Sequence, residues 1–240
     1  RKYWGCSSLN EPKEALVKTY GLERHYEVVS VTDVETVTVP ELLGQLGVGP
    51  PDFLKTDLEG EDSAVIRNCV ETFDSLLAIQ CELRFEPFYE GEPYFHETAG
   101  YLTRKGFDLI GLRPQYWKPK TPFRDRQRDG RIVWADCLFF RQPGTSGGIP
   151  EDGLALPLAK QVVAASMTGK KGYAEWLYET NKDRFPESWR EDLVSLTSPA
   201  PRVLPGPVRQ AFSALREGRF LRALAGTAVR RWKTPGTTFD

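Results

Sequence analysis

A chain of 240 residues, 40% of them hydrophobic, can bury a real core and suits one domain with an appendage. Its net charge of −1 calls for no nucleic-acid partner, and its two histidines, His25 and His96, argue against a histidine-based metal site. No window has the length of a membrane span and no signal peptide is visible.

The charge is unevenly spread. Residues 1–141 hold 18 Lys and Arg against 23 Asp and Glu, a balance of −5; residues 142–240 hold 14 against 10, a balance of +4. Cys6, Cys69, Cys81 and Cys137 lie far apart with no C-x-x-C pair, and three of them fall in apolar patterns. They read as buried thiols of a reducing compartment, which implies a cytoplasmic protein.

In chain order, residues 26–39 alternate in the manner of a strand or a bent pair of strands, with Val29, Val31 and Val34 on one side. Pro40 opens a short helix to about Leu46, and Pro50-Pro51 separates it from an apolar strand over 52–57. That strand ends abruptly in acids and a glycine (Asp57, Glu59, Gly60, Glu61, Asp62), and a helix is expected over 62–72. A nearly continuous apolar strand follows at 76–83, then a helix from about Pro93 to Lys105. Strands at 107–112 and 131–141 flank a basic and aromatic loop that leaves no room for a crossover helix, so they should pair antiparallel at the sheet edge.

Gln142 to Gly153 reads as a Gly- and Pro-rich linker. Helical patterns follow at Leu158–Thr168, at Tyr173–Asn181 and from near Ser188, then four prolines between Thr197 and Pro207. A last basic amphipathic helix spans Val208 to Trp232; packing on its own domain is favoured over a membrane or partner role. The domain reading is therefore 1–141 for an α/β unit and 142–240 for a linker and helical tail.

In an open α/β sheet, ligands bind outside the carboxyl ends of the strands. Asp57 and Glu59 stand at such an end, and Glu59 would share the side of Asp57 if the strand conformation persisted. Helix-start punctuation, with Asp62 as cap, explains the same acids equally well. Glu82, near the end of an otherwise apolar strand, must either pair with Lys55 or Arg84 or face a cleft with a raised pKa. Lys55 suits an ion pair that orders the acids. Ser7 and Ser8 could contact a ligand, though a turn or cap before Glu11-Pro12 is the commoner use. His96, beside Phe95, reads as a surface or packing residue. Tyr116 and Trp117, with Phe123 and cations from Lys118 to Arg128, suit a sugar or phosphorylated ligand; the acids Asp125 and Asp129 weaken a nucleic-acid reading.

Lys55-x-Asp57-x-Glu59-Gly60, with an acid at 62, resembles the signature of the FkbM family of S-adenosylmethionine-dependent methyltransferases. Six further segments occur in that family's order: Cys6 to Pro12, Val39 to Leu43, Ile79 to Glu82, Pro87 to Gly91, Tyr101 to Leu109 and Trp134 to Phe139. The resemblance covers roughly residues 1–141. It implies a class I methyltransferase (Rossmann-like) sheet, incomplete at the N-terminus and ending in an antiparallel edge strand, with a helical C-terminal appendage. It also implies S-adenosylmethionine as cofactor and a hydroxyl of a sugar or other secondary metabolite as acceptor, hence O-methylation.

The resemblance puts Asp57, Glu59 and Glu82 in catalytic positions, Ser7, Ser8 and Asp57 near the cofactor, and Tyr116 and Trp117 near the acceptor. One departure stands out. No strand–glycine–helix unit is present, since Gly44 to Gly49 precedes a strand, so the cofactor-binding first half is expected upstream of Arg1. The alternatives are a non-catalytic glycan- or partner-binding domain of this fold and a different α/β transferase.

Overall fold

The computed structural model describes residues 2–119, 130–143 and 153–197. Four strands form one mixed sheet in the order β1-β2-β4-β3: β1 is Phe53–Lys55, β2 Ala78–Arg84, β3 Phe107–Trp117 and β4 Arg131–Arg141. β1 and β2 pair in parallel, and β4 runs antiparallel to both β2 and β3. Two 3-10 turns, Trp4–Cys6 and Lys182–Arg184, and eight helices join or cover the strands. The helices are α1 (Glu14–Tyr20), α2 (Glu23–Tyr26), α3 (Val39–Leu46), α4 (Asp62–Thr72), α5 (Phe95–Arg104), α6 (Ala155–Met167), α7 (Lys171–Asn181) and α8 (Glu187–Thr197).

The reversed strand is not at the edge, as the sequence had suggested; β4 is inserted between β2 and β3, and β3 forms the margin. The side chains explain the order. β4 is buried along most of its length, including Val133, Ala135, Phe139 and Phe140, as an interior strand requires. β3 exposes Leu109 and Leu112 and carries Pro114, whose missing N–H is tolerated at a margin.

One face of the sheet packs against α4 and α5, where Ile66, Cys69, Val70 and Leu102 meet Ile79, Cys81, Leu83, Cys137 and Phe139. The other face packs against α6 and α7, where Leu158, Val162, Ala165 and Leu177 meet Ala78, Leu138 and Phe140. The helices through Thr197 therefore belong to the same compact unit as the sheet. All four cysteines are free thiols; Cys81 and Cys137 face each other across β2 and β4.

Residues 27–38 form no strand. They follow α2 with no strand among the described residues to supply a ladder, and Val29, Val31 and Val34 stay exposed. α3 forms as expected: Thr38 and Glu41 close a reciprocal capping box before Pro40 enters the first turn. The expected helix Val208 to Trp232 and the cations Lys120 to Arg128 lie outside the described residues. Among the described residues no helix is long and apolar enough to cross a membrane.

Candidate functional site

The carboxyl end of β1 is where the acids gather. Leu54 and Thr56 turn toward the core, while Phe53, Lys55 and Asp57 point the other way and are exposed. Thr56 N–H still donates to the Gln80 carbonyl at 2.9 Å, so the chain leaves the sheet just beyond it. Asp57 is thus presented at the strand tip without an ion-pair partner among the described residues. Lys55 does not pair with it as the sequence suggested.

The turn that follows is held from three directions. Ser8 Oγ donates to the Glu59 carbonyl at 2.6 Å, and Asn10 Nδ2 donates to Glu61 Oε1 at 2.5 Å. Leu58 N–H donates to Asp62 Oδ2 at 3.0 Å, so Asp62 ties the turn to the first residue of α4 instead of serving as its cap. Gly60 adopts φ +110, and a Cβ there would stand 3.0 Å from the Tyr89 ring; both facts demand glycine. Glu59 itself has φ +48, a conformation that costs a non-glycine residue energy and that persists only when its surroundings enforce it.

That backbone reversal redirects Glu59. Its carboxylate does not stand beside Asp57 on one strand face. It accepts from Arg84 Nη2 at 3.0 Å and from Tyr89 Oη at 2.9 Å. Arg84, 5% exposed at the end of β2, is the hub of the cluster. It also reaches Glu82 Oε1 at 2.6 Å and Glu92 Oε1 at 3.3 Å, and lies over the Trp134 ring at 5.7 Å. Glu92 is anchored in turn by the amides of Phe88 and Tyr89.

One guanidinium shared by three carboxylates cannot neutralise them all. Burial pushes the Glu82 carboxyl up to about 8, against the pull of Arg84 and with added repulsion from Glu59, Asp57 and Asp62. Burial likewise raises Glu59, Asp62 and Glu92. Of the alternatives the sequence left open, Glu82 takes the ion pair with Arg84, and its burial raises the carboxyl all the same.

The remaining candidates separate. Ser7 is exposed, whereas Ser8 is committed to the acidic turn. Tyr116 is 47% exposed on β3. Trp117, its neighbour, packs edge-on against Phe88 at 5.2 Å and Tyr20 at 5.8 Å in a satellite core. His96 stacks obliquely on Tyr94. Sequence reasoning missed Tyr89 and Glu92 as site residues, although both lie in or beside the motif segment Pro87 to Gly91.

These features define an α/β domain with a mixed sheet and an acidic strand tip. Residues 2–109, from before the first turn into β3, match the family model for the Methyltransferase FkbM domain, the family that the motifs resemble. That match suggests methyltransferase activity. No curated protein and no solved structure matches the chain.

Proposed function

We propose that this protein takes part in S-adenosylmethionine-dependent O-methylation of a hydroxyl on a sugar or other small metabolite. The observation that carries the reading is the strand tip itself: an exposed, unpaired Asp57 beside a cluster in which acids outnumber their one cation. Such a surface suits a cationic ligand, and a sulfonium is one. Bound there, S-adenosylmethionine would supply the methyl group, its S–CH3 bond breaking as the neutral thioether leaves.

The chain's own residues then have separate tasks. Asp57 takes the proton of the acceptor hydroxyl as the oxygen attacks, because an alkoxide is a far better nucleophile than an alcohol. Glu82 orients that hydroxyl from the neighbouring strand, protonated or ionised according to pH. Glu59, held by Arg84 and Tyr89, fixes the turn that carries Asp57. Ser8 does the same through the Glu59 carbonyl, and Ser7 and Tyr116 remain free to touch cofactor and acceptor.

Methyl transfer from labelled S-adenosylmethionine onto a panel of glycans and small hydroxyl compounds tests this directly. The expected result is turnover that Asp57→Asn lowers by about 10²-fold or more while cofactor affinity stays nearly unchanged. Unchanged turnover in the variant removes Asp57 as the base. Absence of cofactor binding by the full-length protein leaves the alternative, a domain of this fold that binds glycans or partners without catalysis.

A further inference from the structure

Two residues from Glu82 along β2, the same sheet face opens into a cavity of about 370 Å³. It lies where α6 gives way to α7, and Gln80, Gly111, Arg113, Asp136, Thr168 and Lys170 contribute to its wall. Its size falls at the lower end of the range for small-molecule sites. Asp136 sits directly opposite Glu82 in the β2–β4 register, so the cavity adjoins the acidic tip.

The wall has the opposite electrostatic character to that tip. Lys170 has no acidic partner among the described residues, and the Gln80 side chain makes no hydrogen bond to them. Arg113 meets Asp136 at 3.1 Å, which leaves two cations against one acid. The ammonium of Lys170 is seated deliberately: β3 carries an irregularity between Leu109 and Gly111, and Gly111 has no side chain to obstruct it. A Cβ on Gly111 would lie 2.6 Å from Lys170 Cε and 2.8 Å from Nζ. A side chain there would push the end of Lys170 off the strand.

We propose that this cavity is a subsite for the oxyanion of an acidic monosaccharide, bound by Lys170 Nζ and the Gln80 amide. The spacing supports a sugar of that kind, since two residues along a strand span roughly 7 Å. That is about the reach from an acid group at one end of a pyranose to a hydroxyl at the other. The hydroxyl then faces Glu82 and Asp57. The acceptor role rests on the methyltransferase reading; the anion subsite does not.

The test is a titration of the isotope-labelled 240-residue chain with sodium glucuronate, glucose 6-phosphate and methyl glucoside, followed by amide shifts at Lys170 and Gly111. The two anions are expected to perturb these amides at concentrations where the neutral glucoside does not, and the tighter of the two distinguishes a carboxylate from a phosphate. Lys170→Gln should weaken the anion by about tenfold, and Lys170→Arg should restore most of it. Equal binding of the neutral sugar, indifference of the anions to Lys170→Gln, or no binding by any probe overturns the proposal. The titration needs no methyl donor. Intact anion binding without methyl transfer therefore defeats the methyltransferase reading alone, and the reverse result defeats the subsite alone.

Discussion

On β2, Ile79, Cys81 and Leu83 are buried on one face and Ala78 on the other, whereas on β1 only Leu54 is buried. The β2–β4 region has α4 and α5 on one face and α6 and α7 on the other. The β1 margin has a covered face toward α4 and a bare one carrying Phe53, Lys55 and Asp57, with the exposed valines of 27–38 elsewhere in the same stretch of sequence. Burial is concentrated in the first region, and the acids Asp57, Glu59 and Glu82 stand where the two meet. A strand tip that is firmly founded at Gln80 and free at Asp57 can present a carboxylate without losing its position.

The most severe way to break this contrast is to hollow out the packed side. Phe140 is fully buried, joins the sheet to α6 and α7, and contacts the Tyr173 ring at 5.2 Å. Phe140→Ala should cost about 3–5 kcal/mol in urea unfolding, because the cavity left behind collapses only partly. A loss below about 1 kcal/mol would mean that the helices after 153 are not part of the foundation.

Asp57→Asn probes the junction and should separate function from fold. Turnover falls by about 10²-fold or more while the melting temperature stays put, since the exposed side chain supports nothing. A marked drop in melting temperature would place Asp57 inside the packed region and invalidate the contrast.

Glu82 allows the electrostatic side to be read as a pH dependence. Its carboxyl is raised from 4.5 to about 8 on folding, so the folded state holds this proton more tightly than the unfolded one. The stability it contributes is full below the unfolded value and is lost as pH rises toward 8. Glu82→Gln cannot ionise and leaves Arg84 with Glu59 and Glu92. At pH 9 the variant should be more stable than the parent by on the order of 2 kcal/mol, and the gap should close at pH 5. Parallel melting curves at both pH values would show that Arg84 fully compensates Glu82.

Much of the packed region was legible because its signals are local. The bounds of α4 match the expected 62–72 and those of β4 the expected 131–141; each is set by periodicity and by neighbouring acids or glycines. Strand order was not local. Whether β4 lies at the margin or inside depends on burial contributed by α5 and α6, and neither flank of β4 announces it. The acids at 57 and 59 were visible as a motif, yet their two-residue spacing implied a shared face. The positive φ at Glu59 and the pull of Arg84 and Tyr89 undo that, and those two partners lie 25 and 30 positions away. Tyr116 and Trp117 look equivalent in sequence. The β3 register shift between Gln115 and Tyr116 and the Phe88 ring decide which one is consumed by packing.

Residues 27–38 give the sharpest lesson and the smallest expected effect. Alternation of valines is what a half-buried strand requires, but a strand is a relation between two chains of hydrogen-bonding groups, and among the described residues none pairs with this segment as a strand. Val31 is 81% exposed, so truncating it removes little area from contact with protein. Val31→Ala should change unfolding free energy by no more than about 0.5 kcal/mol, against several for Phe140→Ala. A cost comparable to that of a core valine would show that this face is covered in solution, and the margin of β1 would then have to be regarded as a buried surface of an assembly and not as an open edge.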